Sequence, residues 1–92
     1  MRYVILTGAA VENRRDLYDA LEAHMELPDY FGRNLDALHD VLLHEILPAG
    51  PLTFEIEDFD ALRDGIGEYA VGLRHMLKDV EREDDRLTVV LR

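Results

Sequence analysis

The stretch LPDYFGRNLDALHDVL, from Leu27 to Leu42, has the form of a loop that leads into a helix. Pro28 and Gly32 indicate a loop over residues 26–33. Asn34 is a residue type that caps helices. A helix that begins after it has apolar side chains at i, i+3, i+7 and i+11, namely Leu35, Leu38, Leu42 and Ile46. This stripe predicts the buried face of a second helix, with His39 at its border.

A second sector of the same helix mixes charged and apolar side chains. At about 100° per residue, this sector contains, in angular order, Leu43, Asp36, Leu47, Asp40 and His44. Two carboxylates one turn apart cost an isolated helix a few tenths of a kcal/mol. An acidic strip with apolar neighbours is typical of a face that binds a basic, partly apolar surface. A solvated helix face is the alternative, with the two leucines covered by another segment.

Two adjacent aromatic residues, Tyr30 and Phe31, lie in the loop before this helix. In a surface loop, one of them can turn inward and the other outward. An outward tyrosine beside an acidic helix start is a candidate anchor for a partner, because tyrosine binds with little entropy cost. Simple packing of Tyr30 over the helix end is the alternative. The side-chain amide of Asn34 could also reach a partner.

Three further segments have the pattern of strands. The continuous apolar runs 3–6 and 87–91 predict strands that are buried on both faces, as in a parallel sheet. In the middle of the chain, Leu52, Phe54 and Ile56 alternate with polar residues. This alternation predicts a strand with one wetter face at the edge of the sheet.

The segments between these strands are predicted to be helical. Asn13 is a candidate cap for a first helix, residues 58–62 predict a short helix, and residues 66–82 predict a long one. The order is strand, two helices, strand, two helices, strand. It predicts a single small α/β domain over residues 1–92, with a parallel sheet and right-handed crossovers.

The chain is strongly acidic, with 10 Lys and Arg residues against 20 Asp and Glu residues and a formal net charge of −10. A nucleic-acid binder needs Lys and Arg to displace phosphate counterions, so direct binding to nucleic acid is nearly excluded. An anionic membrane surface is disfavoured for the same reason, and a basic protein is the favoured partner. No apolar run approaches the roughly 18 residues of a membrane span, and the apolar N-terminal segment is too short for a signal peptide. We therefore expect a soluble, cytoplasmic monomer.

The sequence offers little for catalysis or metal binding. It contains neither Cys nor Ser. His39 and His44 lie about 140° apart around a regular helix, so they do not converge. His44 and Asp40 share a face, but a third metal ligand would have to come from elsewhere. A His39 pair with Asp36 or Asp40 is geometrically possible but has no nucleophile beside it. We expect no catalytic residues, no metal and no cofactor.

The segment LPDYFGRNLDAL, followed two residues on by Asp40, resembles the barstar family of intracellular ribonuclease inhibitors. The resemblance extends more weakly over the whole chain, through the opening strand, the proline-led middle strand, the long helix and the closing LTVVL. It implies a three-stranded parallel sheet with about four helices, and an inhibitor in place of an enzyme. In the family, the second helix and its preceding loop plug the active site of a basic ribonuclease, and their carboxylates take the places of substrate phosphates.

Carried over by position, the resemblance implies this set of partner-binding residues: Tyr30, Gly32, Asn34, Leu35, Asp36, Ala37, His39, Asp40, Leu43, His44, Glu45 and Asp79. The helical geometry and the resemblance agree on Asp36 and Asp40. The best-known family member has Trp at the position of His39 and a glycine-containing turn at 43–45, and the family has Glu at the position of Asp79. These differences from the family pattern bear on which partner the chain binds, more than on its fold. A barnase-like extracellular-type ribonuclease is expected, and a basic protein other than a ribonuclease is the alternative.

Overall fold

The computed structural model describes residues 2–92, and within them it shows an α/β fold with a three-stranded parallel sheet. The strands are β1 (Arg2–Thr7), β2 (Leu52–Glu57) and β3 (Leu87–Leu91), in the spatial order β1-β2-β3. Four α-helices lie in the described chain: α1 (Arg14–His24), α2 (Leu35–Val41), α3 (Phe59–Ile66) and α4 (Glu68–Glu83). Two of them connect each pair of consecutive strands. The predicted fold class and element order are therefore confirmed.

The middle strand lies at the centre of the sheet, so the prediction that it is an edge strand is wrong. β2 pairs with β1 on one side and with β3 on the other. Its residue Glu55 is only 4% exposed, on the face opposite to Phe54. Glu55 is tolerated there because the Tyr3 hydroxyl donates a hydrogen bond to its carboxylate, and Arg92 Nε lies 3.3 Å from it. Local alternation could not reveal these distant partners.

The outer strands are buried on one face only, which corrects the prediction that both are covered on two faces. In β1, Val4 and Leu6 are buried, whereas Tyr3 and Ile5 are exposed. Burial also alternates at the start of β3, where Leu87 and Val89 are buried and Thr88 is exposed. This alternation shows that the helices cover one face of the sheet, so a continuous apolar run still leaves every second residue near water.

The helices begin close to their predicted positions. The Asn13 side chain accepts a hydrogen bond from the Asp16 amide at 2.8 Å, which caps α1 as predicted. Asp58 caps α3 through the Ala61 amide at 3.2 Å. The long helix α4 begins two residues after its predicted start at residue 66, because the chain turns at Gly67 with φ 64°. Gly67 is thus a boundary that the apolar periodicity did not show.

The hydrophobic core lies between the sheet and the helices. Its largest fully buried side chains are Tyr18, Phe54, Leu6, Leu17, Leu21, Leu38, Leu42, Leu47, Ile56, Leu62, Leu73 and Leu77. Complete burial of one such aliphatic side chain contributes about 1.5–3 kcal/mol. Leu38 and Leu42 belong to α2 and the turn that follows it, so the core fixes the orientation of that segment. No helix within residues 2–92 has the length and apolar character needed to cross a membrane.

We predict that Glu55→Gln destabilises the protein more at pH 7 than near pH 3. The hydrogen bond from Tyr3, together with the charge of Arg92, holds the pKa of Glu55 below its usual value of 4.5. The carboxylate therefore stabilises the folded state fully above that value, and the contribution is lost as the pH falls through the lowered pKa. Urea unfolding of both proteins at the two pH values measures the difference.

Glu68→Gln is the matched control for this experiment. The Glu68 side chain is 80% exposed and pairs with Arg63 at 3.2 Å, and such surface ion pairs contribute little to stability. The control should change the free energy of unfolding only slightly at either pH. An equal loss of stability at both pH values in Glu55→Gln would contradict the prediction.

Candidate functional site

Helix α2 begins at Leu35, directly after its cap residue Asn34. The Ala37 amide donates a hydrogen bond to the Asn34 side-chain oxygen at 2.8 Å, and Asn34 has extended backbone angles. The side-chain nitrogen of Asn34 donates to the Gly32 carbonyl at 3.3 Å, which ties the cap to the preceding loop. The predicted cap is confirmed. With the start of the helix fixed, Leu38 turns into the core and Asp36 is left exposed.

The helix does not continue regularly beyond Val41. The next turn, Leu42–Ile46, is π-helical, and a short 3-10 turn follows over Leu47–Ala49. A π turn holds more residues than an α turn, so successive side chains advance by a smaller angle. Leu47 consequently rotates into the core and is fully buried. The prediction that Leu47 lies on the acidic strip is therefore wrong, because it assumed regular helical spacing.

The two aromatic residues of the loop point in opposite directions, as predicted. Phe31 is buried and contacts the Tyr18 ring edge-on, with ring centroids 5.8 Å apart. Tyr30 is 75% exposed. Its hydroxyl donates a hydrogen bond to the Glu45 carboxylate in the π-helical turn, and this bond raises the pKa of Tyr30. We call α2 together with the π-helical turn the α2 segment. The loop thus contacts the far end of the α2 segment.

Tyr30 and the α2 segment enclose a cleft of about 300 Å³. Phe31 and Val41 are buried beneath it, and the carboxylates of Asp40 and Glu45 are exposed beside it. The complete set of lining residues is Tyr30, Phe31, Gly32, Ala37, Asp40, Val41, His44 and Glu45. The cleft therefore combines an apolar floor with an acidic rim. It brings together half of the residues predicted as partner contacts.

His39 connects this face to α4. Its Nδ1 lies 3.6 Å from an Asp40 carboxylate oxygen, and its Nε2 lies 3.6 Å from a Glu83 carboxylate oxygen. Asp79, one turn earlier on α4, is 55% exposed and forms an ion pair with Arg82. Glu83 was not among the predicted residues, although its position four residues after Asp79 places it on the same side of the helix.

Three of the remaining predicted residues lie around the start of α2. Asn34, Leu35 and Asp36 line a second depression of about 390 Å³. Leu35 packs against α4 at Gly72, where an added Cβ would lie 3.1 Å from a Leu35 methyl group. Glycine at position 72 lowers the stability of its helix by about 1 kcal/mol relative to Ala. Its lack of a side chain allows α2 and α4 to approach closely at this point. Leu43 is half-buried at the edge of the core.

No group of three or more His, Cys, Asp or Glu side chains among residues 2–92 is arranged to hold a metal ion. What the face presents is charge and shape: exposed carboxylates on a capped helix, an exposed tyrosine and a cleft between them. A surface of this kind can bind a basic protein by charge complementarity.

A model of the family Barstar (barnase inhibitor) matches residues 1–92. The chain belongs to the barstar family. A Bacillus subtilis (strain 168) protein named "Putative ribonuclease inhibitor YrdF" is 35% identical over 83 residues, which cover 90% of this chain and 89% of that protein. The resemblance seen in the sequence is confirmed. Membership of a family of ribonuclease inhibitors also confirms that the chain is a non-enzymatic protein and implies a ribonuclease partner.

In this barstar-family protein, the loop over residues 26–33 is fastened to α1 by polar as well as apolar contacts. The Arg33 guanidinium donates hydrogen bonds to an Asp19 carboxylate oxygen at 2.6 Å and to the Arg15 carbonyl at 3.3 Å. The bond to Asp19 raises the pKa of Arg33. Arg33 adopts a positive φ of 52°, which costs a residue with a side chain roughly 1–2 kcal/mol. The tether therefore offsets a local backbone strain.

We predict that Arg33→Ala loosens the loop without unfolding the domain. The Phe31 amide, which donates to the Pro28 carbonyl at 3.0 Å, should exchange with solvent roughly 1.4- to fivefold faster, since an exposed ion pair contributes about 0.2–1 kcal/mol. Hydrogen exchange followed by NMR measures this rate. Arg63→Ala, which removes the exposed pair with Glu68, is the control and should leave the Phe31 rate unchanged. An unchanged Phe31 rate in Arg33→Ala would disprove the tether.

Proposed function

We propose that this protein is a cytoplasmic inhibitor of a basic, extracellular-type ribonuclease, and that it acts by inserting α2 and the preceding loop into the active site of that enzyme. The observation that supports this most directly is the pair Asp36 and Asp40. Both are exposed one turn apart on a capped helix, beside the exposed Tyr30, in a chain of the barstar family. We propose further that residues 1–92 act as one domain and as a monomer.

In this mechanism the carboxylates imitate the phosphates of the substrate. Asp40, whose side chain is 74% exposed, is the central carboxylate and occupies the position of the scissile or a neighbouring phosphate. Asp36 meets a second cation. The two residues are separated by about 6 Å along the helix axis, a spacing that suits two cationic subsites. Lys, Arg and protonated His form charge-assisted hydrogen bonds with phosphates and with carboxylates alike, so groups that bind a substrate phosphate can also bind these carboxylates.

The other proposed contacts surround the two aspartates. Tyr30 and His39 supply largely apolar contact, and Asp79 adds charge from α4. The rest of the proposed face consists of Gly32, Asn34, Leu35, Ala37, Leu43, His44 and Glu45. Of these, Gly32, Asn34, His44 and Glu45 are exposed, and Leu35, Ala37 and Leu43 are half-buried. This arrangement gives the face a polar surface with apolar patches, as in protein–protein interfaces.

The charge of the whole molecule also supports binding to a basic ribonuclease. A net charge of −10 attracts a basic enzyme over long distances, which raises the association rate at low ionic strength. Carboxylate–arginine pairs at the interface then lose their hydration, and these charge-assisted contacts slow dissociation of the complex. Binding should accordingly weaken as salt is added, mainly through the association rate.

A second candidate function is an acidic binding module whose target is a basic protein other than a ribonuclease. The observation that favours it is the π-helical turn with Leu43, His44 and Glu45, which presents side chains where the best-known family member has a glycine-containing turn. A pull-down with the purified protein separates the two functions. Recovery of a nuclease supports the first, and recovery of a basic protein without nuclease activity supports the second.

The direct test is inhibition of a basic microbial ribonuclease of the barnase type. The purified protein is titrated against the enzyme at low and at moderate salt. Stoichiometric inhibition that weakens with salt is the result we expect. Absence of inhibition at both salt concentrations would reject a target of this type and would direct the search to the pull-down.

We predict that Asp40→Ala weakens binding to the inhibited ribonuclease by about 2–5 kcal/mol, the usual range when one partner of a buried charge pair is truncated. Titration calorimetry measures the change. Asp64→Ala is the control, because it removes the same charge from an exposed position on α3 outside the proposed contact set. A loss below about 0.5 kcal/mol in Asp40→Ala, on the scale of an exposed ion pair, would remove Asp40 from the centre of the mechanism.

A further inference from the structure

The second depression, of about 390 Å³ at the start of α2, carries positive charge in an acidic chain. Its lining residues are Arg14, Arg33, Asn34, Leu35, Asp36 and Tyr69. Two guanidinium groups therefore lie beside Asp36, one of the two proposed aspartate contacts. The molecule as a whole has a net charge of −10, so the sign of the charge is locally reversed here. A partner surface made only of cations does not match this part of the face.

Arg14 is a cation without an anionic partner. It is exposed, and within residues 2–92 its guanidinium contacts the Tyr69 ring but forms no ion pair. The nearby carboxylate of Asp16 instead accepts a hydrogen bond from the Glu12 amide at 3.0 Å. Arg14 is also the first residue of α1, where the positive end of the helix dipole opposes a cation by about 0.3–1 kcal/mol. The charge of Arg14 is therefore unfavourably placed for the free protein and available to an anion.

An aromatic contact holds the Arg14 guanidinium in place. Its central carbon lies 4.0 Å from the centre of the Tyr69 ring. The hydroxyl groups of Tyr69 and Tyr18 are hydrogen-bonded to each other, and their rings meet edge-on with centroids 6.4 Å apart. Tyr18 is buried in the core. An exposed cation–π contact contributes about 0.5–1 kcal/mol, so Arg14 is partly ordered before any ligand binds, which reduces the entropy cost of binding.

Arg33 supplies a second hydrogen-bond donor to the same depression. Its Nη2 pairs with Asp19 at 2.6 Å, and its Nε lies 3.9 Å from a Glu22 carboxylate oxygen. These contacts offset part of the charge and fix the position of the guanidinium. Its Nη1 has no hydrogen-bond partner in the part of the chain that the structure describes. An anion in the depression is thus offered N–H groups from α1 and from the residue before Asn34.

The charge of the molecule restricts which anion can occupy this depression. A strongly acidic protein repels free anions over long distances, whereas an anion that belongs to a basic protein is brought in with it. The carboxylate of Asp36 in the same depression disfavours a dianion such as phosphate. Carboxylates form charge-assisted hydrogen bonds with guanidinium groups. The occupant that meets these conditions is an Asp or Glu side chain on a protein that is basic overall.

We propose that Arg14 and Arg33 form a subsite for an acidic side chain of the partner, beside the cation that Asp36 meets. The proposal rests on the proposed function in requiring a basic protein as partner. A partner that presents only cations here is repelled by the unpaired guanidinium of Arg14, whereas a partner with an acidic residue gains an ion pair. The neighbouring negative and positive groups thereby select among basic proteins and fix the orientation in which one binds.

The test uses two basic peptides, so that it does not depend on any ribonuclease. Acetyl-Lys-Gly-Glu-Gly-Lys-amide and acetyl-Lys-Gly-Gln-Gly-Lys-amide are titrated into the protein over residues 1–92. The salt concentration is about 0.1 M, where charges more than about 10 Å apart are largely screened. NMR follows the amides of Asn34 and Leu35 and the Nε–H group of Arg14. General attraction to an acidic protein favours the Gln peptide, which has one more positive charge, so a preference for the Glu peptide identifies the subsite.

We expect the Glu peptide to bind roughly 1.4- to fivefold more tightly than the Gln peptide, since an exposed ion pair contributes about 0.2–1 kcal/mol. In Arg14→Gln this preference should disappear, and the Gln peptide should bind at least as tightly. Arg74→Gln is the matched control, because it removes an arginine that lies over the Phe59 ring at 4.4 Å, outside the depression. The control should retain the preference for the Glu peptide. Inorganic phosphate at the same concentrations should leave the Asn34 and Leu35 amides unshifted.

The outcomes separate this proposal from the proposed function. Tighter binding of the Gln peptide to the wild-type protein would overturn the subsite, as would a preference for the Glu peptide that persists in Arg14→Gln. Loss of the preference in Arg74→Gln as well would mean that overall charge is responsible. Phosphate shifts equal to those of the Glu peptide would overturn the assignment to an acidic side chain. A preference that depends on Arg14, without inhibition of a ribonuclease, would uphold the subsite while rejecting the ribonuclease target.

Discussion

The hydrogen bond from the Ala37 amide to the Asn34 side chain determines how the rest of the candidate face is arranged. It fixes the first residue of α2 and therefore the rotation of every side chain on that helix. With this start, Leu38 enters the core and Asp36 and Asp40 are left exposed. Two like charges on one face oppose helix formation. The cap and the buried leucines stabilise the helix against that repulsion, so a face suited to binding is maintained by contacts on the opposite side.

The parts of the structure that depend on neighbouring residues could be predicted from the sequence. The caps, the inward Phe31 with the outward Tyr30, and the order of strands and helices all follow from local patterns. The parts that depend on distant contacts could not. The central position of β2 requires a buried Glu55, and the residues that make its burial acceptable, Tyr3 and Arg92, are far away in the chain. The contact between His39 and Glu83 likewise exists only after α2 and α4 have packed together.

The candidate site also has features that depend on neighbouring residues and features that depend on distant contacts. Family resemblance and helical geometry together indicated Asp36 and Asp40, because both rest on short-range spacing. The resemblance placed Tyr30 and Glu45 in one partner-binding set, but helical geometry did not indicate the cleft, because regular spacing places Glu45 on another side of the helix. The hydrogen bond between these two residues depends on the π-helical turn. Backbone irregularity, which residue types alone do not specify, thus contributes part of the chemistry of the face.

The π-helical turn also divides the α2 segment into a regular first half and an irregular second half. A turn of this kind accommodates one additional residue within a helix, so it is equivalent to a single insertion. Removing or adding a residue there would rotate everything that follows while the first half, held by its cap, stays in place. Asp36 and Asp40 would then keep their positions while the second half was remodelled. The second half can therefore diversify through changes in chain length while the first half, with its two aspartates, is retained.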